Sequence, residues 1–113
     1  MTSLKMAGLQ PKELCFTKIL SDSDVNGCLE LPKENGLTVD EVMVVQDGQG
    51  GEWKFKVRQR NTGRCYMALE WSNFTTDVSA RARDRLSFYR LAYFNLLGRK
   101  VCPNGYLVTL ERA

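Results

Sequence analysis

The chain has 113 residues, 43% of them hydrophobic and 26% charged, with a net charge of +3 and no histidine. That length and balance describe one globular domain with a core of ordinary size and exclude a disordered segment, and no run is long or apolar enough to span a membrane. The charge is uneven, with −5 over residues 1–52 and +8 over residues 53–113, so the fold can present a basic face while the whole stays soluble.

Residues 1–12 are polar and mixed and are read as a flexible N-terminal arm. They lack the apolar core of a signal peptide, which points to an intracellular location. Glu13 to Leu20 is the first expected strand, with Phe16 and Lys18 on one face and Cys15, Thr17 and Ile19 on the other. Ser21 to Gly27 reads as a turn-rich loop. Its acids lack the further ligands of a calcium loop, so local bonds from Asp22 and Asp24 to the backbone are the better account. Cys28 to Leu31 is a short strand ended by Pro32, and Lys33 to Gly36 holds one helical turn at most.

Glu41 to Asp47 is strongly β-prone, and Gly48-Gln49-Gly50-Gly51 turns it into the strand Glu52 to Arg60. Here Trp53, Phe55 and Val57 point one way and Lys54, Lys56, Arg58 and Arg60 the other, the period of a strand with an apolar and a cationic face. Asn61-Thr62-Gly63 reverses the chain into the strand Arg64 to Leu69. Five cations and no acid lie from Trp53 to Arg64. A solvated edge explains one or two lysines; it explains less well four consecutive outward cations followed by an amide- and hydroxyl-rich turn. An anionic partner suits the hairpin better, and double-stranded DNA is the leading candidate.

After Leu69 the period changes. Trp71, Phe74 and Val78 recur at helical spacing, started by Ser72 or Asn73. Arg81, Arg83, Asp84 and Arg85 precede the strand Leu86 to Leu91. Ala92 to Gly105 reads as a long connection with Arg99, Lys100 and Pro103, and Tyr106 to Glu111 is the last strand. Seven short strands with turn signals between them make an all-β sandwich or barrel. Trp53, Phe55, Trp71, Phe74 and Phe88 are expected in its core. Cys15, Cys28, Cys65 and Cys102 form no CxxC pair, so they are read as reduced core thiols and not as zinc ligands. No cofactor, metal or small-molecule substrate is expected, and no group has the visible base an enzyme nucleophile needs.

The order of landmarks resembles the plant B3 DNA-binding domain over residues 13–112. FTKILSDSDV (Phe16 to Val25) is similar to the family's opening, and LELPKE (Leu29 to Glu34) to its apolar-Pro-Lys strand end. VVQDGQGGEWKFKVR (Val44 to Arg58) is similar to its Asp-Gly-Trp-Phe hairpin, EWSNF (Glu70 to Phe74) to its Trp-x-x-Phe helix, and RDRLSFYRL (Arg83 to Leu91) to its Gly-Asp-Phe strand. The chain departs from the pattern at Glu70 and Arg83, where the family usually has glycine. Within the family it looks most like the reproductive-meristem branch.

The resemblance implies a seven-stranded open pseudobarrel with one or two short helices, in a nuclear transcription regulator; no dimerisation heptad is visible, so the isolated domain is expected to be a monomer. It implies two arms in the major groove: Lys18 to Gly27, with Ser21, Asp22 and Ser23, and the hairpin Arg58 to Arg64. Gln59, Arg60, Asn61 and Arg64 have the geometry to read bases, with Thr62 a weaker candidate, because paired donors and acceptors match base edges. Lys18, Lys54 and Lys56 are assigned to phosphate. The alternative is a B3-fold protein-interaction module with weak or non-specific DNA binding. A nuclease-like enzyme ranks last.

Overall fold

A computed structural model describes residues 12–91, 93–94, 100–101 and 105–113. The expected N-terminal arm before Lys12, and Arg99, Cys102 and Pro103, lie outside them. The chain order is β1 (Lys12–Ile19), α1 (Asp22–Asn26), β2 (Leu29–Glu30), β3 (Val42–Gln46), β4 (Glu52–Gln59), β5 (Cys65–Leu69), α2 (Trp71–Asp77), β6 (Arg85–Leu91), β7 (Tyr93–Phe94), β8 (Lys100–Val101) and β9 (Gly105–Glu111). Seven strands form one curled sheet in the order β1-β6-β9-β3-β4-β5-β2. Every pairing in it is antiparallel except β3 with β9. This is the open pseudobarrel expected. The segment 92–105 holds a two-stranded pair, β7 with β8, where the sequence suggested only a connection.

The alternation of β4 survives in the fold. Phe55 and Val57 are fully buried, and Lys54 and Arg58 are exposed. Phe55 sits at the centre of an aromatic core. Trp71 lies 5.8 Å and Phe74 5.7 Å from it, both edge-on, and Phe88 lies 6.5 Å away. Phe16 stacks on Phe88 at 5.4 Å across the β1–β6 pairing. Trp53 is only half-buried at the rim, because its indole N–H reaches Asp47 Oδ2 at 3.1 Å. Asp47 Oδ1 also accepts from Gln49 N and Gly51 N, so one carboxylate ties the whole β3–β4 turn. A Cβ on Gly51 would lie 2.1 Å from Asp47 Oδ2, which fixes glycine there.

Three local expectations are corrected. Residues 22–26 are helical where a loop was expected. Ser21 caps them: its hydroxyl accepts from Asp24 N at 3.1 Å while Asp24 Oδ2 accepts from Ser21 N at 2.9 Å. Helix α2 starts at Glu70, not through Ser72 or Asn73. Glu70 makes no capping bond; its carboxylate instead accepts Lys54 N at 2.7 Å and its own N–H donates to Lys54 O. Glu70 thereby extends the β4–β5 pairing by one residue, a structural use for an acid where the family has glycine. Finally, Cys28 is exposed, and Cys15 and Cys65 are only partly buried. None of the three is an inner-core thiol.

Strands β1 and β2 occupy the two ends of the sheet order, yet the curl brings them together. Lys18 projects from β1 into the seam. Its ammonium lies 2.9 Å from Asp24 Oδ2 and donates to Glu30 O at 2.5 Å. Asp24 also accepts Glu30 N, while its carbonyl takes the Trp71 indole N–H at 2.8 Å. Asp24 is wholly buried and has every oxygen used, as a buried charge requires.

Candidate nucleic-acid interface

The hairpin tip is built by the chain reversal after Gln59. Arg60 N donates to Arg64 O at 2.7 Å, and Gly63 N to Arg60 O at 2.9 Å. Gly63 has a φ of 89°, the left-handed conformation that glycine adopts without a Cβ clash. Gln59, one of the expected base readers, donates its side-chain amide to Gly63 O at 3.1 Å and so stiffens the turn. Thr62 Oγ1 receives Arg64 N at 3.5 Å.

The arginines of the tip divide into two kinds. Arg60 is folded back: it makes a two-pronged bond to the Glu30 carboxylate, with Nη2 at 2.5 Å and Nε at 3.3 Å, and its guanidinium lies 4.2 Å from the Tyr66 ring centroid. Arg58 and Arg64 are exposed and hold no ion pair among the described residues, and Asn61 beside them is exposed as well. Beside Arg64 a cleft of about 460 Å3 runs between the tip residues Thr62–Cys65 and the segment of Leu31, Pro32, Lys33 and Asn35.

The other arm is α1 with its cap. Ser21, Asp22 and Ser23 are exposed, and the Ser21 and Ser23 hydroxyls lie 3.1 Å apart. Lys18 does not join them as a free cation, since it is spent on Asp24 and Glu30 in the seam. Burial pushes the Asp24 carboxyl upward, but the Ser21 N–H, the Lys18 ammonium and the Glu30 N–H together hold it below the ordinary carboxylate value.

Glu30 is the residue that sequence reasoning missed. Its carbonyl binds Lys18 of the first arm and its carboxylate binds Arg60 of the second, so the two arms meet on one residue of β2. Only the curl of the sheet creates that meeting; nothing in LELPKE announces it. Lys54 and Lys56 stand apart. They lie on the outer face of β4, Lys54 six residues before Arg60, which is roughly 20 Å along an extended strand. Lys56 is half-buried between Val42 and Ala68 of the flanking strands. The geometry thus offers an exposed anion-seeking tip and a capped polar arm. Among the described residues no cluster of ligating side chains can hold a metal ion, and no helix is long and apolar enough to cross a membrane.

No family model and no curated protein matches the chain. Solved structures do. One is the Arabidopsis FUS3–DNA complex, with a TM-score of 0.62 and 22% identity over 89% of this chain and 99% of that one. Another is the complex of the Arabidopsis thaliana transcription factor LEC2 with DNA, with a TM-score of 0.57 and 26% identity over 73% of this chain and 86% of that one. The curled seven-stranded sheet with two short helices is therefore the B3 pseudobarrel that the sequence landmarks imply.

Proposed function

We propose that this domain binds double-stranded DNA, reads its sequence in the major groove, and serves as the DNA-binding part of a plant transcription regulator in the nucleus. The observation that carries the reading is the tip itself. Arg58, Asn61 and Arg64 stand exposed, and among the described residues without ion pairs, on a turn pinned by Gln59. The fold that presents them is shared with two proteins solved on DNA. A major groove about 12 Å wide admits a two-stranded ribbon. Within it, Arg64 has the fork that fits guanine O6 and N7, and Asn61 the amide that fits adenine.

Ser21, Asp22 and Ser23 engage the groove from the other side. Their hydroxyls suit phosphate or base edges, and the Asp22 carboxylate suits the cytosine amino group. Lys54, Lys56 and Arg58 serve phosphate, which positions without reading. Arg60 joins only if Glu30 releases it. Lys18 acts indirectly, by holding the seam that carries both arms. The domain acts as a monomer with no cofactor.

The test is selection from a random-sequence duplex pool at several salt concentrations. The reading requires an enriched motif whose affinity falls linearly in log salt. Uniform weak binding without a motif would favour the protein-interaction module and sink sequence reading.

A further inference from the structure

The turn between α2 and β6 carries a second set of cations. Arg81, Arg83 and Arg85 are all exposed, and none holds an ion pair among the described residues. The turn is rigidly held. Asp84 N donates to Arg81 O at 3.1 Å, and Arg81 N donates to Asp84 Oδ2 at 2.9 Å. The Asp84 carboxylate is buried and also takes Arg112 and Ala113 N, so it does not neutralise the exposed arginines. Burial raises the affinity of Asp84 for a proton, but these donors outweigh it and keep the carboxyl below its ordinary value. Glu111, opposite Arg85 on β9, is exposed and makes no ion pair with it.

Two features connect this turn to the interface. The first is position. Arg83 N donates to Leu20 O at 2.7 Å and Leu20 N donates to Asp84 O at 2.9 Å, while Ile19 pairs with Arg85. The turn is thus stitched to the residue that immediately precedes the Ser21 cap of the first arm. The second is strain. Arg83 has a φ of 77°, a left-handed conformation disfavoured for any residue with a Cβ. Glycine would sit there without strain. Asp40, Leu69 and Ser79 share this left-handed conformation, and of these four residues Arg83 alone carries a cation.

We infer that Arg81, Arg83 and Arg85 form a phosphate-binding ledge beside the Ser21–Gly27 arm, extending the contact with the DNA backbone beyond the two arms. The ledge adds affinity without reading sequence, since it offers guanidinium groups and no second element to enter a groove. It rests on the DNA-binding reading above.

The experiment compares wild type, R83G, R83K and the double variant R81Q/R85Q, by fluorescence anisotropy on a labelled random-sequence duplex across salt, together with thermal melting. R83G is expected to raise the melting temperature, because it relieves the left-handed strain, and at the same time to weaken binding. Its slope of log affinity against log salt should flatten by about one, so the affinity lost between about 50 and about 200 mM salt shrinks roughly threefold. R83K should keep the wild-type slope, and R81Q/R85Q should flatten it by about two. Should R83G melt lower, its loss of binding is structural, and R81Q/R85Q, which leaves the strained position alone, decides. Wild-type binding with unchanged slopes in R83G and R81Q/R85Q would overturn the ledge alone. No salt-dependent binding by the wild type would overturn the DNA-binding reading and the ledge with it.

Discussion

Lys18 and Asp24 face each other at 2.9 Å in the seam where the first and last strands of the sheet order meet. The carboxylate is fully buried and the ammonium side chain is 23% exposed. Removing one partner strands the others. Asp24→Ala leaves Ser21 N and Glu30 N without an acceptor, leaves the ammonium with Glu30 O alone, and removes the reciprocal half of the α1 capping box. A cost of about 3 kcal/mol is expected, the low end for a broken buried pair because Lys18 keeps some water. A urea melt in which Asp24→Ala loses less than about 1 kcal/mol would show that water repairs the seam.

Acid should act through the same carboxylate. Asp24 has its folded pKa below the ordinary value, so its stabilisation is complete above the unfolded pKa of about 4 and drains away as pH falls toward the folded value. Asp47 and Asp84 shift in the same direction, with hydrogen bonds outweighing burial in each. Urea midpoints should therefore hold near neutrality and fall below about pH 4. The fall should be shallower in Asp24→Asn, which is already weaker at pH 7. An identical pH profile in the variant would remove Asp24 from the acid-sensitive set.

The aromatic core and its turn make a graded series. Phe55→Ala empties the centre of the cluster and should cost about 4 kcal/mol. Trp53→Ala, at the half-buried rim, should cost about half as much. Gly51→Ala drives a methyl into the Asp47 carboxylate and should cost about 2 kcal/mol through lost turn bonds. Gly48→Ala meets no atom within 4 Å and suffers only its φ of 79°, about 1 kcal/mol. Reversal of the order Gly51 over Gly48 in denaturant midpoints would mean that the turn relaxes around the added methyl.

At the tip, Arg64→Ala should cost about 1–3 kcal/mol on the selected site and little on random DNA. Arg64→Lys should fail to restore the difference, since a point charge lacks the two-pronged geometry. Equal weakening on both duplexes would assign Arg64 to phosphate and leave reading to Asn61.

Glu30 gives the opposite sign. Its carboxylate ties down the Arg60 guanidinium, whereas its backbone alone serves Lys18 and Asp24. Glu30→Ala should leave the fold intact, free one cation and delete one acid at the interface. Affinity for random duplex should rise, and the salt slope should steepen by about one. A variant that binds more weakly would show that Arg60 has to be held against Tyr66 for the tip to work.

The seven strands of the sheet were legible because a period of two is visible in sequence, above all in Trp53 to Arg60. The aromatic helix was legible from the spacing of Trp71 and Phe74. What escaped was set by contacts between distant segments. Asp24 reads as a loop acid, and its helix has only five residues with Asp in place of the usual Glu or Gln of a capping box. Arg60 reads as a free cation until the curl places Glu30 beside it. Lys18 was expected on phosphate for the same reason, since the strand period gave its face but not its partner. Cys28 looked apolar by type but falls where the chain leaves α1 for solvent.

The parallel pairing of β3 with β9 bears on how the domain is made. Strand β9 lies between β6 and β3, so the backbone ladder runs through it from the pair β1–β6 to the block β3-β4-β5-β2. It pairs Val44 with Gly105, residues from opposite halves of the chain. Until β9 has left the ribosome, the two parts have no shared ladder, and each presents an open edge to other nascent chains. The hairpin β4–β5 can close early because its contacts are local. The aromatic core, with Phe88 against Tyr106, is complete only when β9 joins, and closing so non-local a pairing costs chain entropy that local hairpins do not pay.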